Sequence, residues 1–128
     1  MKKYLLILSL VLLLNNQEIL RVINQYRGLN HLPALKTSQA LNKTAEYKVN
    51  DMIKNNYFAH SGFYNTLIKF KVKFTIAGDN LAKGYTNEKE LVNDWMVSPT
   101  HRANILDKNF KSVGVFNKNG LTALHLTN

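Results

Sequence analysis

The 128-residue chain contains no cysteine. Disulfides, thiolate zinc sites, a cysteine nucleophile and a lipid-modified cysteine anchor are all excluded, so stability has to come from packing. Acidic residues are scarce: 8 Asp plus Glu stand against 17 Lys plus Arg, a formal charge of +9. There is no stretch rich in Pro, Gly or Ser to mark a linker, and no internal repeat. No apolar run reaches the roughly 20 residues that a membrane span needs. H-E-x-x-H, G-x-S-x-G, P-loop and G-x-G-x-x-G patterns are missing, which removes several common enzyme signatures. The length fits a single domain. With 45% apolar residues the chain can bury a core, and wholesale disorder is excluded.

The most conspicuous run stands first. Lys2 and Lys3 precede Tyr4 to Leu14, which is apolar except for Tyr4 and Ser9. A positive start followed by a run of this length has the form of a signal peptide, whose apolar region spans about 7–15 residues. No A-x-A cleavage pattern follows, which leaves an uncleaved anchor as the alternative. Extension of the run into a first core helix is disfavoured, because a helix apolar on every face needs burial all round. The expected division is residues 1–16 as signal peptide or N-terminal apolar anchor and 17–128 as the domain, secreted or associated with the cell envelope. Without the two lysines the charge falls from +9 to +7. That balance suits anionic partners such as wall polymers or lipid head groups, or simply a solvated basic surface.

Periodicity supplies the elements. Glu18 to Arg27 is a helix candidate with Ile19, Ile23 and Tyr26 on one face, and Gly28 is placed to end it. Thr37 or Ser38 can cap a second helix running to about Asn55, striped by Leu41, Ala45, Val49 and Met52. Ile68, Phe70, Val72, Phe74 and Ile76 alternate with polar residues, so the segment reads as strand, best from Lys71 to Ile76. Asn87 to Val97 returns to helix, with Asn87 and Glu90 resembling a capping box. Ser98 and Pro99 suit the start of another short helix. Val113–Phe116 and Leu121–Thr127 read as a hairpin.

Four histidines are present, of which His31 reads as a surface loop residue and His125 as a packed or edge residue of the last strand. His60 follows Tyr57 and Phe58, aromatics suited to anchor its turn in the core. His101 sits in a proline-started helical turn, and Asp79 follows Gly78 after the expected strand. Two imidazoles and a carboxylate could hold a divalent metal with a water position left open, or exchange protons near neutral pH. Their spacings of 19 and 22 residues establish neither, since only the fold could unite them.

Several motifs resemble a known family. Asn24-Gln25-Tyr26-Arg27 with Gly28-Leu29 and Leu32-Pro33-Ala34-Leu35 is similar to the opening of the CAP superfamily (cysteine-rich secretory protein, antigen 5 and pathogenesis-related, or SCP, domains). Tyr57 to Ser61 resembles its Y-F-x-H motif, and Gly78 to Ala82 its G-E-N-[IL]-A motif. Trp95 to Leu106 resembles the bacterial W-M-x-S-P-x-H-R-x-N-I-L, and Phe110 with Val113 to Val115 continues it. The resemblance covers about residues 18–127 and is of the cysteine-free bacterial type. It implies an α+β fold, a three-layer α-β-α sandwich with a small antiparallel sheet. It also implies that His60, Asp79 and His101 converge in a central cleft where zinc can be held. The chain departs from the family's two-histidine, two-glutamate tetrad: Asp79 replaces one glutamate, and Ser98 falls at the other.

Three functions compete. The first is an exported binding module for a cell-envelope, lipid or small apolar ligand, with an optional metal in the His/Asp cleft. The second is a structural secreted domain with a vestigial cleft. The third is a metal-dependent, peptidase-like hydrolase with Asp79 as base. The missing second carboxylate and the lack of a nucleophile weigh against catalysis. A nucleic-acid role ranks last, because Lys69, Lys71 and Lys73 would line one strand face with no aromatics interleaved on that face for base stacking.

Overall fold

The computed structural model describes residues 14–128, so residues 1–13 of the expected signal or anchor segment lie outside the described residues. The described chain runs α1 (Asn16–Leu29), β1 (Lys36–Thr37), α2 (Gln39–Asn55), α3 (Phe63–Lys69), β2 (Ala77–Lys83), α4 (Glu88–Val97), α5 (Pro99–Ile105), β3 (Ser112–Lys118) and β4 (Leu121–Thr127). The sheet order is β1-β3-β4-β2. The three long strands are antiparallel, as expected, and the two-residue β1 adds a short parallel pair to β3. Helix α2 covers one face with α3 beside it, and α1, α4 and α5 form the layer on the other. The result is the α-β-α sandwich.

Side-chain alternation divides the core between the two faces. Leu124 and Leu126 of β4 meet Ile19 and Ile23 of α1 and Leu91 and Trp95 of α4. Leu121 and Ala123, one position out of phase, meet Ala45, Val49 and Met52 of α2. By the same parity His125 faces α2. The approach of α2 to the sheet is close: a Cβ on Gly114 would lie 2.1 Å from the Leu41 carbonyl carbon. That contact fixes the first turn of α2, and Thr44 with it, over β3 and β4.

Caps set the local boundaries. Asn15, Ser38 and Asn87 accept from the backbone N–H three residues on, each at 3.0–3.2 Å. The β3–β4 turn places Asn119 and Gly120 at φ 52° and 77°, a two-residue hairpin that needs positive φ at both positions. The Asn24 and Arg27 of the opening motif are structural clasps. Asn24 exchanges hydrogen bonds of 2.8 and 3.2 Å with the Leu35 backbone. Arg27, 1% exposed, donates to the carbonyls of Pro33, Ile105, Asp107 and Phe110 at 2.8–3.3 Å.

Three local expectations are corrected. Helix α1 does not stop at Gly28 but continues through Leu29, where Asn30 donates from its backbone and its side-chain amide to the Tyr26 carbonyl. Residues 66–76 are not a strand: α3 runs to Lys69 and an irregular segment follows. Phe70, Val72 and Phe74 alternate inward, the last two onto Leu41, Phe63 and Leu67, which mimics a strand pattern. No neighbouring strand pairs with them, and Lys71 at φ 56° breaks the extended path. Lys69, Lys71 and Lys73 therefore share no strand face. Sheet pairing starts only at Ala77, so Asp79 lies inside edge strand β2 and not beyond a strand end.

Candidate functional site

The sheet edge brings the site together. Asp79 is the third residue of β2, and its side chain points to the face that carries α2 and α3. There His60 meets it, in the turn between those helices: His60 Nδ1 lies 2.8 Å from Asp79 Oδ2. The carboxylate side chain is 4% exposed and the imidazole 59%. Because a carboxylate oxygen accepts, Nδ1 carries the proton and donates. The Nε2 lone pair of the neutral ring is thereby left for solvent or a ligand.

The turn that carries His60 is held from below. Lys48, in the middle of α2 and 2% exposed, donates to the Ser61 carbonyl at 2.7 Å and to the Tyr57 hydroxyl at 3.2 Å. The Tyr57 hydroxyl in turn donates to Asp51. Burial pushes the Tyr57 phenol up to about 12, and its bond to Asp51 adds to the shift. Burial pulls the Lys48 ammonium down, while the carboxylates of Asp79 and Asp51 oppose that pull. Tyr57 anchors the turn as expected; Phe58, by contrast, is 44% exposed and does not.

His101 arrives from the other layer, on the first turn of α5. Asn80, the neighbour of Asp79 on the opposite face of β2, donates to the His101 carbonyl at 3.1 Å and accepts from Asn104 at 2.8 Å. These bonds lock α5 to the strand. Pro99 opens α5 as expected, and Ser98 occupies the cap position, though its hydroxyl makes no capping bond. The His101 ring lies 6.4 Å from the Trp95 ring. Burial, then the neighbouring His60, lowers the proton affinity of His101, and Asp79 partly offsets both. His101 thus senses the charges of His60 and Asp79.

A cleft of about 590 Å³ opens beside His60 and Asp79, between α3, β2 and α5, and His101 is not among its lining residues. His60, Phe63, Tyr64, Asn65, Asp79 and Asn104 are among its walls. His31 lies apart, exposed and in a positive-φ turn. Among the described residues no group of three or more His, Cys, Asp or Glu has the arrangement of a metal-binding cluster. In the His60–Asp79 pair, His60 Nε2 is the nitrogen left open, while one Asp79 oxygen is committed to His60 and the other is buried.

Sequence reasoning missed His125 as a site residue. It stands directly opposite Asp79 in the β2–β4 register, fully buried, with Nε2 3.4 Å from Asp79 Oδ1. Thr44 of α2 lies 2.8 Å from its other nitrogen. The shared parity of His125 with Leu121 and Ala123 was the available signal, but the strand pairing was not legible. Lys48 was missed for a similar reason: a lysine on the apolar stripe of α2 looks like a solvated residue until its partners are known.

The three-layer α-β-α sandwich, with the edge-strand carboxylate Asp79 held by His60, is a CAP-type arrangement. The model of the cysteine-rich secretory protein family matches residues 20–120, and the chain belongs to that family. It is 34% identical over 104 residues to the uncharacterized protein YkwD of Bacillus subtilis (strain 168), covering 77% of this chain and 40% of YkwD. It is 29% identical over 106 residues to the uncharacterized membrane protein YlbC of the same organism, covering 79% of this chain and 31% of YlbC. The chain thus spans less than half the length of these curated relatives. Among solved structures, an extracellular SCP-domain protein from Bacillus anthracis superposes with a TM-score of 0.83 at 28% identity, over 88% of this chain and 39% of that one. An outer surface protein of Borrelia burgdorferi shares the fold, with a TM-score of 0.78 at 18% identity, over 90% and 96% of the two chains.

Proposed function

We propose that this chain is an exported binding module whose His60 cleft takes a ligand from the cell envelope, with His60 and His101 able to hold a zinc ion at its rim. The observation that carries this reading is the makeup of the cleft. It is open, of small-molecule size, and combines the aromatic walls of Phe63 and Tyr64 with the polar groups of His60, Asn65 and Asn104. Asp79 is engaged by histidine and almost fully buried, so it is not free to act as base on a water. No serine or second carboxylate is among the cleft's lining residues. Binding therefore fits the geometry better than hydrolysis.

Export is supported by the N-terminal pattern and by the extracellular and outer-surface descriptions of the B. anthracis and Borrelia proteins. Among the described residues no helix is long and apolar enough to cross a membrane. A bound zinc would supply Lewis acidity at the cleft rim. Two imidazoles with water complete a weaker shell than the three protein ligands of catalytic zinc centres, and here Asp79 would orient His60.

The test of the binding reading uses Asn65→Trp, a change at an exposed cleft wall that fills the space without touching the core. Wild-type protein incubated with envelope lipids and soluble wall fragments should retain a component that this variant releases. Equal retention by both proteins would show that the cleft is not the binding site.

A further inference from the structure

Two buried polar atoms among the described residues have no hydrogen-bond partner: Asp79 Oδ1 and His125 Nε2. They face each other at 3.4 Å across the β2–β4 pair. Orphaned buried polar atoms are rare and costly, and two that face one another call for a physical explanation. We propose that His125 is a positioning residue of the site: it aims an Nε2 proton at Asp79 Oδ1 and so fixes the carboxylate that holds His60. The proposal rests on reading the His60 cleft as the functional site.

Proton accounting leads there. If the facing pair held no proton, two lone pairs would meet in a buried space closed on one side by the Phe63 ring, 4.7 Å from the imidazole. A proton must therefore sit on one of the two atoms. Were it on Asp79, the carboxyl would be neutral and the buried Lys48 ammonium would lose one of the two carboxylates that support its charge. With the proton on His125 Nε2, Asp79 stays an anion and accepts from an imidazole on each side. The Thr44 hydroxyl has one proton and two acceptors in reach, the Leu41 carbonyl at 3.0 Å and His125 Nδ1 at 2.8 Å; given to Nδ1, the shorter contact, it selects this tautomer. The separation of 3.4 Å between Asp79 Oδ1 and His125 Nε2 is a few tenths of an ångström beyond an ordinary N–H···O bond, and a small shift of either side chain closes it.

The chain of donors is then Thr44 to His125 to Asp79, with His60 donating from the opposite side. Its outcome appears at the surface. His60 is held with Nδ1 protonated and with Nε2 presented to the cleft as a lone pair. Buried hydrogen bonds behind an exposed imidazole set its tautomer and direction, whatever that imidazole then binds.

The test reads tautomers directly and needs neither metal nor ligand. Long-range proton–nitrogen correlation spectra of the 15N-labelled, metal-free protein at about pH 8 report neutral imidazoles. Wild type should show a protonated Nε2 at His125 and a protonated Nδ1 at His60. In His125→Gln the amide can still donate to Asp79, so the His60 Nδ1–H form should persist. In His125→Leu that donor is gone, and the His60 population should move toward the Nε2–H form. An unprotonated His125 Nε2 in wild type overturns the proposal. So does a folded His125→Leu variant with His60 unchanged. If the leucine variant does not fold, the wild-type and glutamine spectra decide. Failure of the protein to bind zinc or an envelope ligand would leave these spectra as they are, so the two readings fail separately.

Discussion

Arg27→Met tests whether the motif arginine is a clasp. The guanidinium joins the end of α1 to the chain before β1 and to the end of α5 and its exit, through four carbonyls. Three of the bonds are 2.8–2.9 Å and one, to Phe110, is 3.3 Å. Each charged hydrogen bond contributes about 1.5–3 kcal/mol, and each acceptor left buried without a donor costs about 1–3 kcal/mol. Methionine fills much of the volume, so a cavity term is small. Against the loss stands the guanidinium's own desolvation, evident in the lowering of its pKa by burial. Breaking a buried charged network in this way typically costs about 3–5 kcal/mol net. That is a large share of the roughly 5–15 kcal/mol a domain has. Urea denaturation followed by tryptophan fluorescence measures it. Arg27→Lys keeps the charge but loses the planar fork, and should fall between wild type and Arg27→Met. A loss below about 1 kcal/mol for Arg27→Met would mean that the clasp is not formed in solution.

Other outcomes follow from the same structure. Gly114→Ala should unfold the domain or displace α2, because the added methyl would sit 2.1–2.3 Å from the Leu41–Asn42 backbone; a wild-type melting temperature would refute the close approach. Trp95→Ala should cost about 3–5 kcal/mol, since the indole is 3% exposed and donates to the Leu81 carbonyl at 3.0 Å; a loss under about 1 kcal/mol would contradict its burial. His101 has a folded-state pKa below its unfolded value, so the unfolded chain takes up its proton first as pH falls. Its contribution to stability is therefore intact above about pH 6.5 and is lost below it. Denaturant midpoints at about pH 8 and about pH 5.5, either side of that value, should differ more in wild type than in His101→Gln, and equal differences would refute the assignment.

Much of the fold was legible because local signals agreed with it. Asn87 caps its helix as read, Asn119-Gly120 closes the hairpin, and the Leu41, Ala45, Val49 and Met52 stripe lies against the sheet. Trp95, named above only as part of a motif, packs with α1 and donates to the Leu81 carbonyl of β2. The segment from Phe70 to Ile76 misled because alternating burial can arise without strand partners. There the backbone N–H groups of Thr75 and Ile76 bond to the Asn128 side chain and not to a strand. At the site, His60, Asp79 and His101 were found through motif resemblance, whereas Thr44, Lys48 and His125 were not. Their importance comes from partners 9 to 81 residues away, which no local pattern encodes.

The claim that His60 and His101 form one cation-competent site is tested most directly by zinc titration calorimetry at about pH 7.5, where free imidazole is mostly neutral. Wild type is compared with the His60→Ala, His101→Ala double variant and with Asp79→Asn. Wild type should bind, and the double variant should lose binding almost completely. Asp79→Asn should bind about 10–100-fold more weakly, as an orienting residue would. Equal, weak binding by wild type and the double variant would contradict the shared site.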